Sequence, residues 1–210
     1  MRGLGARWLA ILTHVGALSP LALMIWDQHQ GQLTANPIRE ITLRTGKTAI
    51  VLLFLSLACT PVGTLLGFKQ AMRVRRPLGL YAAMYAGLHF SIFVGLDYGF
   101  DLGLIAEDIF GKPFALVGLA SFLILLSLAA LSIRRLAECL DQTWWRLRWW
   151  VYLAALLAVT HFVWLAKGDK REPLIYGGIA ILLLVARLPM VVRAARRLRG
   201  GWHGGCGEGP

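Results

Sequence analysis

Apolar residues fall into six long runs along the chain, separated by shorter polar or charged segments. Each run has roughly 20 residues, about the length that an α-helix needs to cross ~30 Å of hydrocarbon. The runs are residues 8–26, 48–67, 77–99, 114–133, 149–166 and 173–192. This pattern predicts an all-α integral membrane protein, a six-transmembrane-helix bundle that forms one domain over residues 1–199. The glycine-rich residues 200–210 predict a disordered tail.

Basic residues are distributed unevenly over the two sides of this predicted bundle. If both termini are cytoplasmic, the inner side holds 15 of the 22 lysines and arginines, and the outer side holds 7. Because the Lys/Arg bias of short loops is the main sequence determinant of orientation, the chain is expected to have both termini in the cytoplasm. The third and fifth helices then both run outward.

Composition and charge narrow the function classes. The chain is 57% hydrophobic with a formal charge of +11, and its arginines cluster at the ends of the apolar runs. This placement indicates contact with the lipid bilayer and its head groups, and no nucleic-acid partner. The three cysteines have no paired spacing, so neither a disulfide framework nor a zinc site is expected. No Walker loop or dinucleotide fingerprint occurs, so no domain for NAD(P)H is expected, and if the chain carries electrons they have to arrive from a lipid-soluble donor or from another protein.

Two histidines carry the main candidate chemistry. The pattern Ala-x-x-x-Ala-x-x-His occurs twice, ending at His89 and at His161, and each histidine follows an arginine, Arg76 or Arg148, by thirteen residues. At ~1.5 Å rise per residue, both imidazoles lie roughly 20 Å from a basic anchor and therefore at one depth. Two imidazoles at matched depth, flanked by small residues, predict axial ligands to one haem iron. The alternative is two buried polar residues bonded to helix carbonyls or to a serine.

Other polar residues in or beside the runs leave more than one interpretation open. His14, in the inner half of the first helix, is either a haem or quinone contact or a packed polar residue. Arg75, Arg76 and Arg148 are either ordinary cytoplasmic anchors or contacts to haem propionates or a flavin phosphate, since guanidinium groups bind such anions bidentately.

Several segments, in one order, resemble a known family over nearly all of residues 8–199. The chain resembles the MsrQ (YedZ) family of haem-binding inner-membrane proteins, within the wider ferric-reductase-like transmembrane group. The segments that carry the resemblance are HVGALSP at residues 14–20, TGKTA at 45–49, TP at 60–61, RRPLGL at 75–80, YAGLHF at 85–90, VYL at 151–153, HFVWLAK at 161–167 and PLIYGG at 173–178.

The resemblance implies a set of cofactors, partners and a location. They are heme b, FMN, electrons from the membrane quinone pool, a periplasmic molybdopterin catalytic subunit (MsrP) that reduces methionine sulfoxide in oxidised proteins, and the bacterial inner membrane. One departure matters: the family motif W-x-x-L-H reads W-W-R-L-R at residues 144–148, so Arg148 replaces a histidine. Guanidinium does not ligate iron. The resemblance therefore implies His89 and His161 alone as haem ligands in this chain, and a second, inner haem is not expected.

Three functions remain open from the sequence. The first is an electron-transfer subunit that passes electrons from quinol through FMN and haem to MsrP. The second is a transmembrane haem reductase fed by a cytosolic NAD(P)H flavin reductase. The third is a cofactor-free membrane transporter or assembly protein, for which a six-helix bundle alone is adequate.

Overall fold

The computed structural model describes the backbone of residues 2–132, 144–166 and 171–187, and the side chains of residues 7–132, 149–166 and 171–187. Within these residues the secondary structure is helical and contains no strand. The helices are α1 (Arg2–His29), α2 (Pro37–Leu65), α3 (Ala71–Ile92), α4 (Leu102–Gly111), α5 (Pro113–Leu131), α6 (Trp144–Leu165) and α7 (Arg171–Val185). A π-helical turn, Phe93–Asp97, continues α3. The all-α prediction is confirmed for the part of the chain that is described.

Four of the described helices are long and apolar enough to cross a membrane, judged by length and composition. They are Arg7–His29, Pro37–Leu65, Ala71–Asp97 with its π-helical turn, and Pro113–Leu131. The apolar part of α6, Trp149–Leu165, is shorter, and the description of α7 ends soon after Val185. The chain is therefore a multi-helix membrane protein, whereas six spans and cytoplasmic termini stay predictions. The predicted tail 200–210 and the end of the sixth run lie outside the described residues.

The early start of α2 and the presence of α4 are the main differences from the sequence prediction. The second helix begins at Pro37, eleven residues before its apolar run, because Asn36 caps it: Asn36 Oδ1 accepts from the backbone N–H of Arg39 at 3.1 Å. The short helix α4 was not predicted. Asp101 caps it, its Oδ1 accepting from the N–H groups of Gly103 and Leu104. Both corrections come from capping residues that a hydropathy pattern does not register.

The bundle is organised as two closely packed helix pairs. The most extensive packing is between α2 and α3, followed by that between α5 and α6. Contacts between α3 and α5 join the pairs, α7 packs on α6 and α2, and α1 lies against the outside of α3. The helices α3 and α6, which carry the two predicted haem ligands, are not among the closely packed pairs of the described residues.

Helix α1 contains Pro20, which has no N–H to donate to the carbonyl of Gly16. Ser19 compensates, because its hydroxyl donates to Gly16 O at 3.1 Å. In hydrocarbon every backbone polar group has to find a partner within the protein, so this repair allows a proline inside a membrane helix.

Tyr85 of α3 attaches α1 to the bundle close to Pro20. Its fully buried side chain places the hydroxyl within the α1 backbone, where it accepts from Leu21 N at 3.1 Å and donates to Ala17 O at 2.8 Å. A single phenol therefore satisfies two backbone groups of α1 next to the proline. These two hydrogen bonds fix the register of α1 against α3.

Helix α2 contains Pro61, which leaves the carbonyl of Leu57 without its helix donor. Arg187, just beyond α7, supplies the missing bond, because its Nη2 donates to Leu57 O at 2.6 Å. The same guanidinium donates to the hydroxyl of Tyr152 and lies over that ring, 5.0 Å from its centre. One side chain thus connects α2, α6 and α7 at one end of the bundle.

The bond from Arg187 to the orphaned carbonyl generates a prediction. Arg187→Met should lower the free energy of unfolding by about 1–3 kcal/mol, the usual range for a hydrogen bond to a charged group. Pro61→Ala should reduce that loss, because the introduced alanine has a backbone N–H that can bond the Leu57 carbonyl. Thermal unfolding of the four proteins of the double-mutant cycle in detergent measures the coupling. Equal losses in both backgrounds would show that the carbonyl does not need Arg187.

Candidate functional site

His89 of α3 and His161 of α6 face each other across the bundle. Their ring centres are 6.3 Å apart and their planes are at 82°. An imidazole nitrogen binds a first-row metal at about 2 Å and lies about 1 Å from its ring centre, so two imidazoles on opposite sides of one metal have centres about 6 Å apart. The observed separation fits a single metal ion held between the two rings.

Hydrogen bonds fix the orientation of both rings. His89 Nδ1 lies 2.8 Å from the carbonyl oxygen of Thr42, and His161 Nδ1 lies 2.8 Å from that of Phe114. Because a carbonyl only accepts, each Nδ1 carries a proton and donates it. Each Nε2 then keeps a free lone pair, the state that a metal ligand requires. Metal-binding histidines commonly donate their second nitrogen in this way.

Two glycines make these hydrogen bonds sterically feasible. A Cβ on Gly46 would lie 3.1 Å from His89 Nδ1, and one on Gly118 would lie 2.7 Å from His161 Nδ1. Each glycine is four residues after the accepting carbonyl, on the helix turn that passes over it. The imidazoles therefore lie directly against bare helix backbone, which any larger residue would obstruct.

The two halves of the site repeat each other. The histidine follows its accepting residue by 47 positions in both cases. His161 follows His89 by 72 residues, and Gly118 follows Gly46 by the same 72. The pairs α2–α3 and α5–α6 therefore form two similar units, each of which contributes one imidazole from its second helix and one carbonyl and one glycine from its first.

The space between α3 and α6 suits a flat ligand. These helices do not pack closely, yet their imidazoles approach each other. Ala82 and Ala154 are fully buried by protein, so their small side chains serve helix packing, whereas Ala86 and Ala158, one turn before the histidines, stay partly exposed. Small side chains next to the rings leave space for a macrocycle edge.

The donor set also restricts the kind of metal centre. Among the described residues no group of three or more His, Cys, Asp or Glu comes together. Two neutral imidazoles alone make a poor site for a bare metal ion, which needs at least four ligands. They suit an iron that already has four ligands from a porphyrin and lacks only its two axial ones.

The other predicted contacts lie elsewhere. His14 is exposed on α1, and its Nδ1 lies 2.9 Å from the hydroxyl of Tyr81. The guanidinium of Arg76 donates to the hydroxyl and the carbonyl of Ser132, at the end of α5. The carbonyl of Arg75 accepts from Ser56 at 2.8 Å. The side chain of Arg148 lies outside the described residues. Neither His14 nor the two arginines joins the histidine pair.

Comparison with known proteins adds the family. A family described as "Ferric reductase like transmembrane component" matches residues 45–159, a range that contains Gly46, His89 and Gly118 and ends two residues before His161. The "Protein-methionine-sulfoxide reductase heme-binding subunit MsrQ" of Xanthomonas axonopodis pv. citri is 41% identical over 179 residues, 82% of each chain. The protein with the same description from Deinococcus radiodurans is 41% identical over 197 residues, 91% of this chain and 95% of that one.

The chain belongs to the MsrQ family. The resemblance inferred from its motifs is thereby confirmed. In this MsrQ-family chain, sequence reasoning missed the glycines and carbonyls that seat the histidines. A signal existed, because a glycine precedes each histidine by the same 43 residues.

The two glycines generate the second prediction. Gly118→Ala should displace His161 and strongly reduce the haem retained per chain, because the added carbon would lie at 2.7 Å; Gly46→Ala, at 3.1 Å, should have a smaller effect of the same kind. Pigment per polypeptide after purification in the presence of haem measures both.

Two other glycine-to-alanine changes are matched controls. A Cβ at Gly87, two residues from His89, meets only ordinary contacts, with its nearest atom at 3.9 Å, and a Cβ at Gly178 meets nothing within 4 Å. Both controls should retain haem. If Gly118→Ala retains as much haem as the controls, the seating of the imidazole on bare backbone is not needed.

Proposed function

We propose that this chain is the membrane electron-transfer subunit of a methionine sulfoxide reductase system, with His89 and His161 as the axial ligands of one b-type haem. The observation that carries the proposal is the pair of imidazoles, whose ring centres are 6.3 Å apart. Each imidazole donates its Nδ1–H to a helix carbonyl. The relatives' printed description as heme-binding subunits of such a reductase supports it.

The protein's part in this function is to hold and isolate the redox centre. A haem in this position supplies single-electron transfer between ferric and ferrous iron. His89 and His161 would hold the haem iron from its two faces and would leave no open site on it for oxygen. The carbonyls of Thr42 and Phe114 orient the rings and raise their basicity as ligands.

The proposal includes a direction of transfer across the bacterial inner membrane. We place both termini in the cytoplasm and six helices across the membrane, as the loop charges predict. His89 and His161 then lie toward the periplasmic side, where a periplasmic MsrP-like partner would receive electrons. Aromatic rings continue toward that side, with Phe90 and Phe93 at 6.5 Å and Phe93 and Tyr98 at 4.7 Å between centres.

Quinol is the proposed electron donor, and FMN is included on family grounds. Arg76, one candidate contact for a flavin phosphate, bonds Ser132 instead, and the Arg148 side chain lies outside the described residues. Flavin quantified per chain decides whether it belongs to the protein.

The ligand assignment generates the third prediction. His89→Ala and His161→Ala should each abolish the low-spin b-type spectrum, since removing one axial imidazole leaves the iron five-coordinate or unbound. Reduced-minus-oxidised spectra of the purified proteins measure this. His29→Ala, at the outer end of α1, is the control and should keep the spectrum. An unchanged low-spin spectrum in both ligand variants would refute the assignment.

The donor is tested by a fourth prediction. A short-chain hydroquinone alone should reduce the haem in proteoliposomes, and subsequent addition of MsrP with methionine sulfoxide should reoxidise it. Haem reduction that occurs only with NADPH and a cytosolic flavin reductase would favour the alternative function, a transmembrane haem reductase that receives its electrons from the cytosol. A protein that stays colourless after haem supplementation would favour a transporter or assembly role.

A further inference from the structure

We infer that His14 and Tyr81 form the site at which a hydroquinone from the lipid phase is oxidised. This inference rests on the proposed function, because it names the place where the proposed donor delivers its electrons. It concerns residues on the outside of the bundle, separate from the histidine pair.

The pair is a polar site on an apolar surface. His14 is exposed, its Nδ1 lies 2.9 Å from the Tyr81 hydroxyl, and the two ring centres are 5.7 Å apart. The residues around it on α1 and α3 are exposed and apolar: Ile11, Val15, Leu18, Leu80 and Met84. An ionisable side chain that faces hydrocarbon is costly, and such residues in membrane helices commonly mark substrate or proton pathways.

The pair is not needed to attach α1 to the bundle. Tyr85, one turn after Tyr81, already bonds Ala17 O and Leu21 N and is fully buried. That buried bond sets the register of α1. The hydrogen bond between His14 and Tyr81 is by contrast open to the surroundings and adds little packing. A structural role therefore does not explain why an imidazole is placed there.

The depth of the pair fits the ring of a lipid-soluble quinone. His14 follows Arg7, the start of the α1 span, by seven residues, or roughly 10 Å. Tyr81 follows Arg76 by five residues, or roughly 8 Å. A polar quinone ring at this level lies below the head groups, and its isoprenoid tail can extend along the exposed apolar side chains of α1.

The two side chains supply complementary groups. In the tautomer in which His14 Nδ1–H donates to the Tyr81 oxygen, His14 Nε2 is unprotonated and can accept a hydroquinone proton, while the Tyr81 O–H remains a donor to a quinone oxygen. The reaction balances: the hydroquinone becomes a quinone and loses two electrons and two protons. His14 Nε2 would take the two protons in turn and release each to water at the cytoplasmic face, and the two electrons would leave singly for the ferric haem that His89 and His161 would hold.

The distance to the acceptor is short. Tyr81 and His89 are eight residues apart on α3, which corresponds to roughly 12 Å along the helix. Because both side chains belong to one continuous helix, the donor site and the imidazole at the iron keep a fixed separation.

The test compares reduction of the holoprotein by two reductants. In His14→Gln, haem reduction by decylubiquinol should slow by roughly 100-fold, the usual contribution of a positioned proton acceptor. Reduction by dithionite, the low-spin spectrum and haem per chain should stay unchanged. Tyr81→Phe should slow the decylubiquinol reaction less, because His14 remains. The matched control is His29→Gln on the same helix, which should react as the unmodified protein does.

A second measurement does not depend on turnover. An azidoquinone, photolysed with the unmodified protein, should label residues 7–25 or 77–88, identified by mass spectrometry, and excess decylubiquinol should suppress the label. Labelling elsewhere, an unaltered rate in His14→Gln, or loss of haem in that variant would each overturn the inference. If decylubiquinol fails to reduce the unmodified, haem-loaded protein, the donor in the proposed function is wrong.

Discussion

The structure depends on two hydrogen bonds from imidazole to helix carbonyl. His89 and His161 donate from Nδ1 to Thr42 and Phe114, and each bond passes over a glycine on the accepting helix. A helix carbonyl already accepts one N–H and has a second lone pair, which is reachable only where no side chain covers it. The glycines uncover that lone pair. The two rings thereby face each other at a separation set by helix packing.

Burial in the membrane also requires hydrogen-bond donors for the carbonyls that two prolines, Pro20 and Pro61, leave unpaired. In lipid an unpaired carbonyl has no water to bond, so each break in a helix needs a protein donor. Ser19 donates to Gly16 O and Tyr85 donates to Ala17 O next to Pro20, and Arg187 donates to Leu57 O, which Pro61 leaves without its helix donor. These repairs also attach α1 to α3 and α7 to α2. The polar groups that close the broken helices are therefore also those that fix helix positions.

Sequence reasoning predicted the features that depend on local pattern. Apolar run lengths predicted the helices, and shared spacing from a basic anchor predicted that His89 and His161 lie at one depth, which agrees with their separation of 6.3 Å. It did not predict α4 or the early start of α2, because capping by Asp101 and Asn36 is independent of hydropathy. It also did not predict the contacts of Gly118 or the partner of His14, since these arise only where separate helices pack.

The repeated architecture bears on how many iron centres this part of the chain can hold. A second centre stacked along the same two helices would need one ligand from each unit, thirteen residues before the histidines, where Arg76 and Arg148 stand. Guanidinium stays protonated and has no lone pair for a metal. Arg76 instead bonds Ser132 at the end of α5, so one unit is tied to the other by hydrogen bonds at that level. In the proposed function each unit therefore contributes a single ligand, His89 or His161, and these two ligands serve one iron.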